Sequence, residues 1–305
     1  MKRPIIVASY VWLMVLNTWA GAQVQQPSGE LLHRIDQAIA SGALGAYVST
    51  SLAMNPCLDA PKTLGHPWEP GEAERIRSGL PAATCEDSVL AKSIPRLFVL
   101  QSLILAATDQ PLAMQATVAE SRKNLRACEG LTCARTEVER ATLEFSRQWD
   151  ALRRQASDSA AATARSFHSV KDPVAWLSSQ SPGVFKHARA SCGHSRVMVT
   201  MQVYKRNALR QALVVCDQGG VESPGWLLEK QEKQWTQILA LESMGTLRLL
   251  SSSHHGRFDL MNTVRANMGE HPSTVYTYNG KVYVERLFLD IQSTSVGEVA
   301  VIPPY

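Results

Sequence analysis

The sequence predicts an α+β protein in which an N-terminal disulfide-bridged helical hairpin or small bundle is followed by a C-terminal antiparallel β meander. Two different apolar periodicities along the chain predict this order. Apolar residues recur at helical spacing from Cys85 to about Ala164, and at every second position from Cys192 onward. The third observation is six cysteines that fall in three close pairs along the chain.

The helical half carries three apolar stripes. The first runs from Val89 to Leu105, and a second helix is expected to begin near Pro111, where a missing N–H is harmless. The third stripe lies on one face of a long helix and consists of Val138, Ala141, Phe145, Trp149 and Leu152. The Ala-, Ser- and Thr-rich segment 157–169 predicts a linker, and the prolines at 173 and 182 are expected to interrupt the chain after it.

The second half is predicted to be a series of short antiparallel strands. Residues 197–203 and 209–215 alternate between apolar and polar, and three further strands are expected at 226–230, 235–241 and 247–251. The clearest hairpin places Asn279-Gly280 between residues 276–278 and 281–285, and that dipeptide favours a type I′ turn.

The first 22 residues have the features of a secretory signal peptide. Lys2 and Arg3 precede an apolar stretch of about a dozen residues, and Ala20-Gly21-Ala22 provides the small residues of a cleavage site. That stretch is shorter than the ~20 residues that span a bilayer. We therefore expect a periplasmic or secreted protein without a membrane span in the mature chain, with a helical domain over 23–165 and a β domain over 166–305.

Export favours disulfides among the cysteines, because the compartments outside the cytoplasm are oxidising. Sequential pairing keeps each bridge inside one local unit, so we expect Cys57–Cys85, Cys128–Cys133 and Cys192–Cys216. The formal net charge of the chain is only +4, and two of the basic residues belong to the signal. This balance gives no electrostatic reason to expect a nucleic-acid partner.

No motif in the sequence specifies a reaction, and we expect neither a catalytic residue, nor a cofactor, nor a metal. A zinc site could be drawn from Cys192, His194 and His254-His255, but a disulfide is expected to occupy Cys192. His254-His255 is expected in an exposed loop. The tyrosines at 276, 278 and 283 could form an aromatic platform on one sheet face, although hairpin aromatics more often pair across strands.

The helical half resembles the LprI-type lysozyme-inhibitor domain of bacterial envelope proteins over about residues 85–156. The resemblance rests on Cys85, Pro95-Arg96-Leu97, Leu103, Arg126-Ala127-Cys128, and Cys133 followed by a long helix. The C-terminal half is similar to periplasmic β modules that carry a G-x-x-D-L segment, here 256–260, before a tyrosine-rich hairpin. The first resemblance implies a non-enzymatic protein that binds and inhibits a lysozyme or a similar cell-wall hydrolase.

The turn between Cys128 and Cys133 is the expected binding surface. Its bridge restricts the backbone before a partner arrives, which lowers the entropy lost on association. Leu131 is expected at the tip with Arg126, Glu129 and Arg135 around it, and an apolar anchor inside a charged rim is typical of binding hot spots. The alternative is a helix–helix turn whose Leu131 folds back onto the bundle.

Two other functions fit the same sequence. The chain could be an immunity protein against a toxin delivered to the periplasm, which is also a protein-binding role. It could instead be a cell-wall-active enzyme whose site follows no familiar motif. Activity on purified peptidoglycan separates the classes, because an enzyme turns it over and an inhibitor protects it from added lysozyme.

Overall fold

The structure is a computed structural model that describes residues 28–44, 55–57, 80, 82–205, 208–217, 223–232, 234–266 and 269–301. The predicted signal peptide and most of segment 41–83 lie outside these ranges. The described chain has the predicted α+β class, with helices first and antiparallel sheets after them. The single predicted meander is in fact two sheets of five strands each.

The helices of the N-terminal half surround one central apolar helix. Their bounds are α1 Ser28–Ser41, α2 Ala82–Glu86, α3 Leu90–Ala107, α4 Pro111–Arg126 and α5 Leu131–Ala162. Helix α3 contacts α1, α4 and α5, and its residues are buried almost all round. From α5, Phe145 and Trp149 reach the same core, as the apolar stripe predicts.

Helix α3 is also the one described helix long and apolar enough to cross a membrane by length and composition. Its apolar stretch spans the full 18 residues of the helix, and 72% of it is buried inside the protein. Burial among α1, α4 and α5 accounts for its composition, because a core helix that is covered on all sides needs no polar face.

Polar contacts fix helix α1 to the two long helices. Arg96 of α3 donates from Nε and Nη2 to the two carboxylate oxygens of Asp36, both at 2.6 Å. At the start of α1, the Ser28 hydroxyl donates to Asp150 of α5 at 3.0 Å. The bidentate geometry of the first pair fixes the rotation of α1 as well as its position.

The segment expected to be a linker is regular structure. Helix α5 continues to Ala162, and strand β1 Arg165–Ser169 follows it. The two prolines expected to interrupt the chain instead begin helices, α6 Pro173–Gln180 and α7 Pro182–Cys192. A proline is tolerated at the first helical position, and Asp172 caps α6 by accepting a hydrogen bond from the Ala175 N–H at 3.0 Å.

The ten strands that the structure describes form two antiparallel sheets in chain order. The first has the order β1-β2-β3-β4-β5 and the second has the order β10-β9-β8-β7-β6. The remaining strand bounds are β2 Arg196–Tyr204, β3 Arg210–Asp217, β4 Ser223–Gln231, β5 Gln234–Met244, β6 Thr246–His254, β7 Arg257–Thr263, β8 Glu270–Tyr278, β9 Tyr283–Thr294 and β10 Gly297–Val301.

The chain passes from the first sheet to the second through one residue, Gly245. A Cβ atom added there would lie 1.9 Å from the carbonyl oxygen of Thr263, so no larger residue fits without moving the backbone. Asn262 holds the junction from both sides. Its Oδ1 accepts from the Gly245 N–H at 3.0 Å, and its Nδ2 donates to the Ser243 carbonyl at 2.9 Å.

The layers stack in the order α6/α7, first sheet, second sheet, helical half. Leu177 and Val184 pack on the outer face of the first sheet, and Leu227 packs from its inner face toward the second sheet. The far side of the second sheet meets α3, where Leu105 shares a core with Met261. The predicted domain boundary near 165 stays a prediction.

The three predicted disulfides are present, with Cα–Cα distances of 5.2, 5.4 and 5.3 Å in chain order. The alternating pattern after Cys192 predicts that the third bridge staples the first two strands, and this is wrong. Because Cys192 is the last residue of α7, its bridge to Cys216 fastens that helix to β3 and does not link two strands.

The predicted hairpin at Asn279-Gly280 is confirmed, but its two-residue turn is wrong. The closing pair is Tyr278 with Tyr283, which leaves a four-residue loop at 279–282. The Asn279 side chain accepts from the N–H groups of Lys281 and Val282, both at 3.0 Å. Asparagine therefore organises the loop through its side chain, and Gly280 takes the positive φ of +98°.

Candidate functional site

Leu131 lies beside the Cys128–Cys133 bridge and is 37% exposed. It is the first residue of α5, with Cys133 in the same first turn, so the prediction that it occupies the tip of a loop is wrong. The loop itself is limited to residues 127–130. The bridge thus ties the start of α5 to the end of α4, with Cys128 buried and Leu131 facing outward.

The three charged residues predicted around Leu131 are exposed. Arg126 ends α4, Glu129 lies in the loop, and Arg135 follows Leu131 by four residues on α5. Arg135 has a partner that the sequence did not indicate, because its Nη2 donates to the carboxylate of Asp87. This hydrogen bond from Arg135, assisted by the N–H of Leu90, lowers the pKa of Asp87.

A second apolar side chain stands next to that ion pair. Val89 is 55% exposed, although its place in the first helical stripe predicts burial. It precedes α3, and its N–H donates to Asp87 Oδ1 at 3.1 Å. We call Val89, Arg126, Glu129, Leu131 and Arg135 the bridged-turn surface.

A different group of polar residues lies buried between the two sheets. Gln202, Gln211 and Glu229 are direct cross-strand neighbours on β2, β3 and β4, so their side chains form a row across the first sheet. Gln202 Nε2 donates to Gln211 Oε1 at 2.9 Å, and Gln211 Nε2 donates to Glu229 at 3.3 Å. Arg257 of the second sheet donates to both oxygens of Glu229 at 2.7 Å.

Tyr204 completes this inter-sheet polar cluster, which comprises Gln202, Tyr204, Gln211, Glu229 and Arg257. The Tyr204 hydroxyl donates to Gln211 Oε1 at 2.8 Å. Burial raises the pKa of Tyr204, whereas the hydrogen bond to Glu229 and the charge of that carboxylate raise the pKa of Arg257. Both shifts favour one fixed protonation state, with a neutral phenol and a charged guanidinium.

Tyr278 and Tyr283 pair with each other and do not form an exposed aromatic platform with Tyr276, the less favoured of the two arrangements that the sequence allows. Tyr278 and Tyr283 are only 5% and 6% exposed, and their rings meet edge to face at 5.4 Å across the hairpin. The Tyr283 hydroxyl donates to the Phe258 carbonyl at 2.8 Å, and burial raises the pKa of Tyr283 well above its usual range. These rings stabilise the hairpin by pairing across its strands, which is the arrangement that the sequence favours.

His254 and Asp259 form a pair at the end of the β6–β7 hairpin. His254 Nδ1 lies 2.7 Å from Asp259 Oδ1, with the imidazole half exposed and the carboxylate fully buried. The other carboxylate oxygen, Oδ2, is buried without a hydrogen-bond partner among the described residues. The expectation of an exposed loop is thus met by His255, while His254 ends a strand and is held by a buried acid.

The zinc site that could be drawn on the sequence is not assembled. Cys192 is bonded to Cys216, and His194 is exposed after α7. Within the described ranges, no three His, Cys, Asp or Glu side chains come together in a way that could hold a metal ion.

Comparison with protein-family models, with curated proteins and with solved structures gives no match. The resemblance to LprI-type domains therefore stays a prediction. Among the described residues, the bridged-turn surface and the His254–Asp259 pair are two places whose chemistry suggests a function.

Proposed function

We propose that the chain is an exported, non-enzymatic envelope protein that binds and inhibits a protein partner, with a lysozyme-like cell-wall hydrolase as the target. The observation that carries this proposal is the exposed Leu131 beside the Cys128–Cys133 bridge, with charged side chains around it. The resemblance of the helical half to LprI-type domains supports a lysozyme-like hydrolase as the class of target. The three disulfides are compatible with an oxidising compartment.

A rigid backbone at the bridge and exposed apolar side chains beside it both favour binding at this surface. The bridge joins cysteines only five positions apart in sequence, so little backbone entropy remains to be lost when a partner binds. Leu131 and Val89 offer apolar area that no core residue covers, and Arg135 is held in place by Asp87. An apolar centre inside an oriented charged rim excludes water around the contact, which is how hot spots gain affinity.

The proposal is tested by titrating a purified lysozyme with the purified mature protein while peptidoglycan turnover is followed. We expect inhibition that saturates at a fixed molar ratio. A matched pair of variants locates the contact: Leu131→Asp should lose inhibition, and Leu143→Asp should keep it. Leu143 is a suitable control because it is on the same helix and is 54% exposed.

Unchanged turnover at all ratios would contradict lysozyme as the target. An immunity role keeps the same surface and predicts binding to a toxin instead, so Leu131→Asp would then weaken protection of cells against that toxin. Equal loss of binding in both leucine variants would exclude the bridged-turn surface as the contact in either role.

A cell-wall-active enzyme is the second candidate, and the His254–Asp259 pair favours it. A buried carboxylate that holds Nδ1 of a half-exposed imidazole orients the outer nitrogen for proton transfer. If the protein alone degrades peptidoglycan, and His254→Gln abolishes that activity while Leu131→Asp does not, the enzyme hypothesis is correct.

A further inference from the structure

Strand β1 forms one edge of the first sheet, with β2 as its one strand neighbour in the described chain. The strand has five residues, Arg165–Ser169. Its last three residues are exposed, and Phe167 at the centre keeps 42% of its surface accessible. An exposed edge strand carries a row of N–H and C=O groups that can pair with another strand.

Two hydrogen bonds at the ends of β1 show which of its backbone groups face outward. The Lys205 N–H donates to the Ala164 carbonyl, and the Val170 N–H donates to the Val199 carbonyl, both at 3.0 Å. Along an antiparallel pair, the backbone groups of successive residues point alternately toward the neighbouring strand and away from it. The even-numbered residues of β1 therefore bond to β2, and the N–H and C=O groups of the odd-numbered residues point away from the sheet.

These outward groups, on Arg165, Phe167 and Ser169, make no backbone hydrogen bond within the described part of the chain. The edge strand β6 of the second sheet differs, because its Ser251 N–H donates to the Asp109 carbonyl at 3.2 Å. Strand β10 at the other edge of that sheet contacts α3. The sequence of β1 also contains neither proline nor lysine, the residues that commonly block pairing at an edge.

A second copy of β1 matches this edge in one antiparallel register. With Phe167 on the two-fold axis, Arg165 lies opposite Ser169 of the other copy, and each outward N–H faces a carbonyl. Phe167 then faces its own equivalent, which gives an aromatic cross-strand pair. The guanidinium of Arg165 lies 4.9 Å from the centre of the Phe167 ring and opposes a neutral serine, so no like charges meet. The outward groups are symmetric about the central residue, and the strand is therefore its own complement, as a two-fold interface requires.

The side chains around this edge determine how strong the contact is. Phe167 pairs with Gln202 of β2 and shares its sheet face, which is the face turned toward the second sheet. Met198 of β2 lies on that face as well and is 40% exposed. Two strands of five residues bury less than the roughly 1,200–2,000 Å² of stable interfaces, so the contact should be weak, with a micromolar Kd.

We propose that the mature protein forms a weak two-fold dimer in which the two β1 strands pair and join the first sheets of both copies into one. Strand β1 follows the C-terminal end of α5, whereas the bridged-turn surface lies at the start of that 32-residue helix, about 48 Å away. Dimerisation therefore leaves the bridged-turn surface free, and the proposal does not depend on the partner of that surface.

Sedimentation velocity of the mature protein between about 1 and 500 μM tests the proposal, because this range brackets a micromolar Kd. We expect the average mass to rise from that of one chain toward that of two. The mass of one chain at every concentration would overturn the proposal.

A pair of charge variants tests whether Phe167 faces its own equivalent. Phe167→Lys and Phe167→Glu each place like charges opposite one another, so each alone should dimerise with a Kd at least about tenfold higher. An equimolar mixture places opposite charges together and should recover dimers. Each variant should keep the Tm of the unaltered protein, because position 167 is exposed. A mixture that is no more dimeric than either variant alone would refute the register.

Cysteine cross-linking tests the same register without relying on charge. Directly opposite residues in a hydrogen-bonded antiparallel pair have Cα atoms about 5.5 Å apart, which suits a disulfide. Phe167→Cys should therefore form covalent dimers under mild oxidation. His168→Cys is the matched control, because position 168 faces position 166 of the other copy and its own equivalent lies diagonally beyond reach. Equal cross-linking of both variants, or of neither, would refute the proposed pairing.

Discussion

Two of the charged clusters in the described chain, the bridged-turn surface at the start of α5 and the inter-sheet polar cluster, differ in burial and therefore in role. Arg135 is half exposed and pairs with Asp87 at the protein surface. Arg257 pairs with Glu229, whose side chain is only 1% exposed. An exposed pair contributes little to stability and remains available to a partner, whereas a buried pair must be satisfied internally.

The difference shows that clustering of charge alone does not identify a site. The buried cluster joins β2, β3 and β4 of one sheet to β7 of the other, so its charges fix the position of the sheets. In the bridged-turn surface, Arg135 pairs with Asp87 of the same protein, whereas the side chains of Leu131 and Val89 are exposed to solvent. Stability measurements and binding measurements should therefore respond to different residues.

The largest expected effect on stability comes from Glu229→Ala. This variant leaves Arg257 without its carboxylate in the layer between the sheets, and the expected loss is about 3–5 kcal/mol in the free energy of unfolding. Urea unfolding measures it, with Glu242→Ala as the control on an exposed position of neighbouring β5. A similar small loss in both variants would mean that Glu229 does not hold the sheets together.

Replacing Cys128 and Cys133 together by serine should have an intermediate effect. The bridge closes a short loop, so the chain-entropy model gives about 2 kcal/mol. If the bridge also pre-organises the binding surface, the double variant should bind its partner more weakly than this loss of stability explains. Isothermal titration calorimetry measures the affinity for the partner, and urea unfolding measures the loss of stability. Unchanged affinity would show that the bridge does not pre-organise the surface.

Tyr283→Phe should cost about 1 kcal/mol at neutral pH, because it removes the hydrogen bond to the Phe258 carbonyl. The pH dependence of the free energy of unfolding tests the Tyr283 hydroxyl more specifically than the loss at neutral pH. Burial raises the pKa of Tyr283 in the folded state, so above pH 10 the unfolded chain loses a proton that the folded chain keeps, and stability falls as pH rises. In an unfolding series from pH 9 to 11.5, the free energy of unfolding of Tyr283→Phe should fall less steeply above pH 10 than that of the unaltered protein. The difference in slope should be about 1.4 kcal/mol per pH unit. Parallel curves would contradict this assignment.

The sequence predicts the elements whose apolar periodicity is local. Helix α5 was evident because it carries one apolar stripe at helical spacing. The β2–β3 hairpin was evident because its apolar residues alternate along each strand, although both faces of the first sheet are covered. Strand β7 was not predicted, since Asp259, Leu260, Met261 and Asn262 are all buried and no alternation remains to be seen. A strand covered on both sides by a sheet and by helix α3 loses the period of two.

The parts of the site that the sequence missed depend on contacts between distant residues. Glu229 and Arg257 are 28 positions apart and belong to different sheets, so nothing local pairs them. A signal was present in the position of Gln211 and Glu229 on the apolar faces of their strands, where a polar residue needs a partner. The Arg135–Asp87 pair likewise joins residues 48 positions apart, which meet only in the folded chain.

The smallest expected effect on stability is that of Leu131→Asp. Leu131 is exposed and begins α5, where a negative charge is favourable at the helix N-terminus, so the free energy of unfolding should change by no more than about 0.5 kcal/mol. A large drop in Tm would instead place Leu131 in the core.

Binding of the partner by the bridged-turn surface is tested most sharply by the Kd of Leu131→Asp for a lysozyme that the unaltered protein inhibits. Truncating a hot-spot residue raises Kd by at least about 30-fold, equivalent to 2 kcal/mol or more. We expect that increase together with an unchanged Tm, and an unchanged Kd for Leu143→Asp. A Kd for Leu131→Asp equal to that of the unaltered protein would contradict binding through this surface.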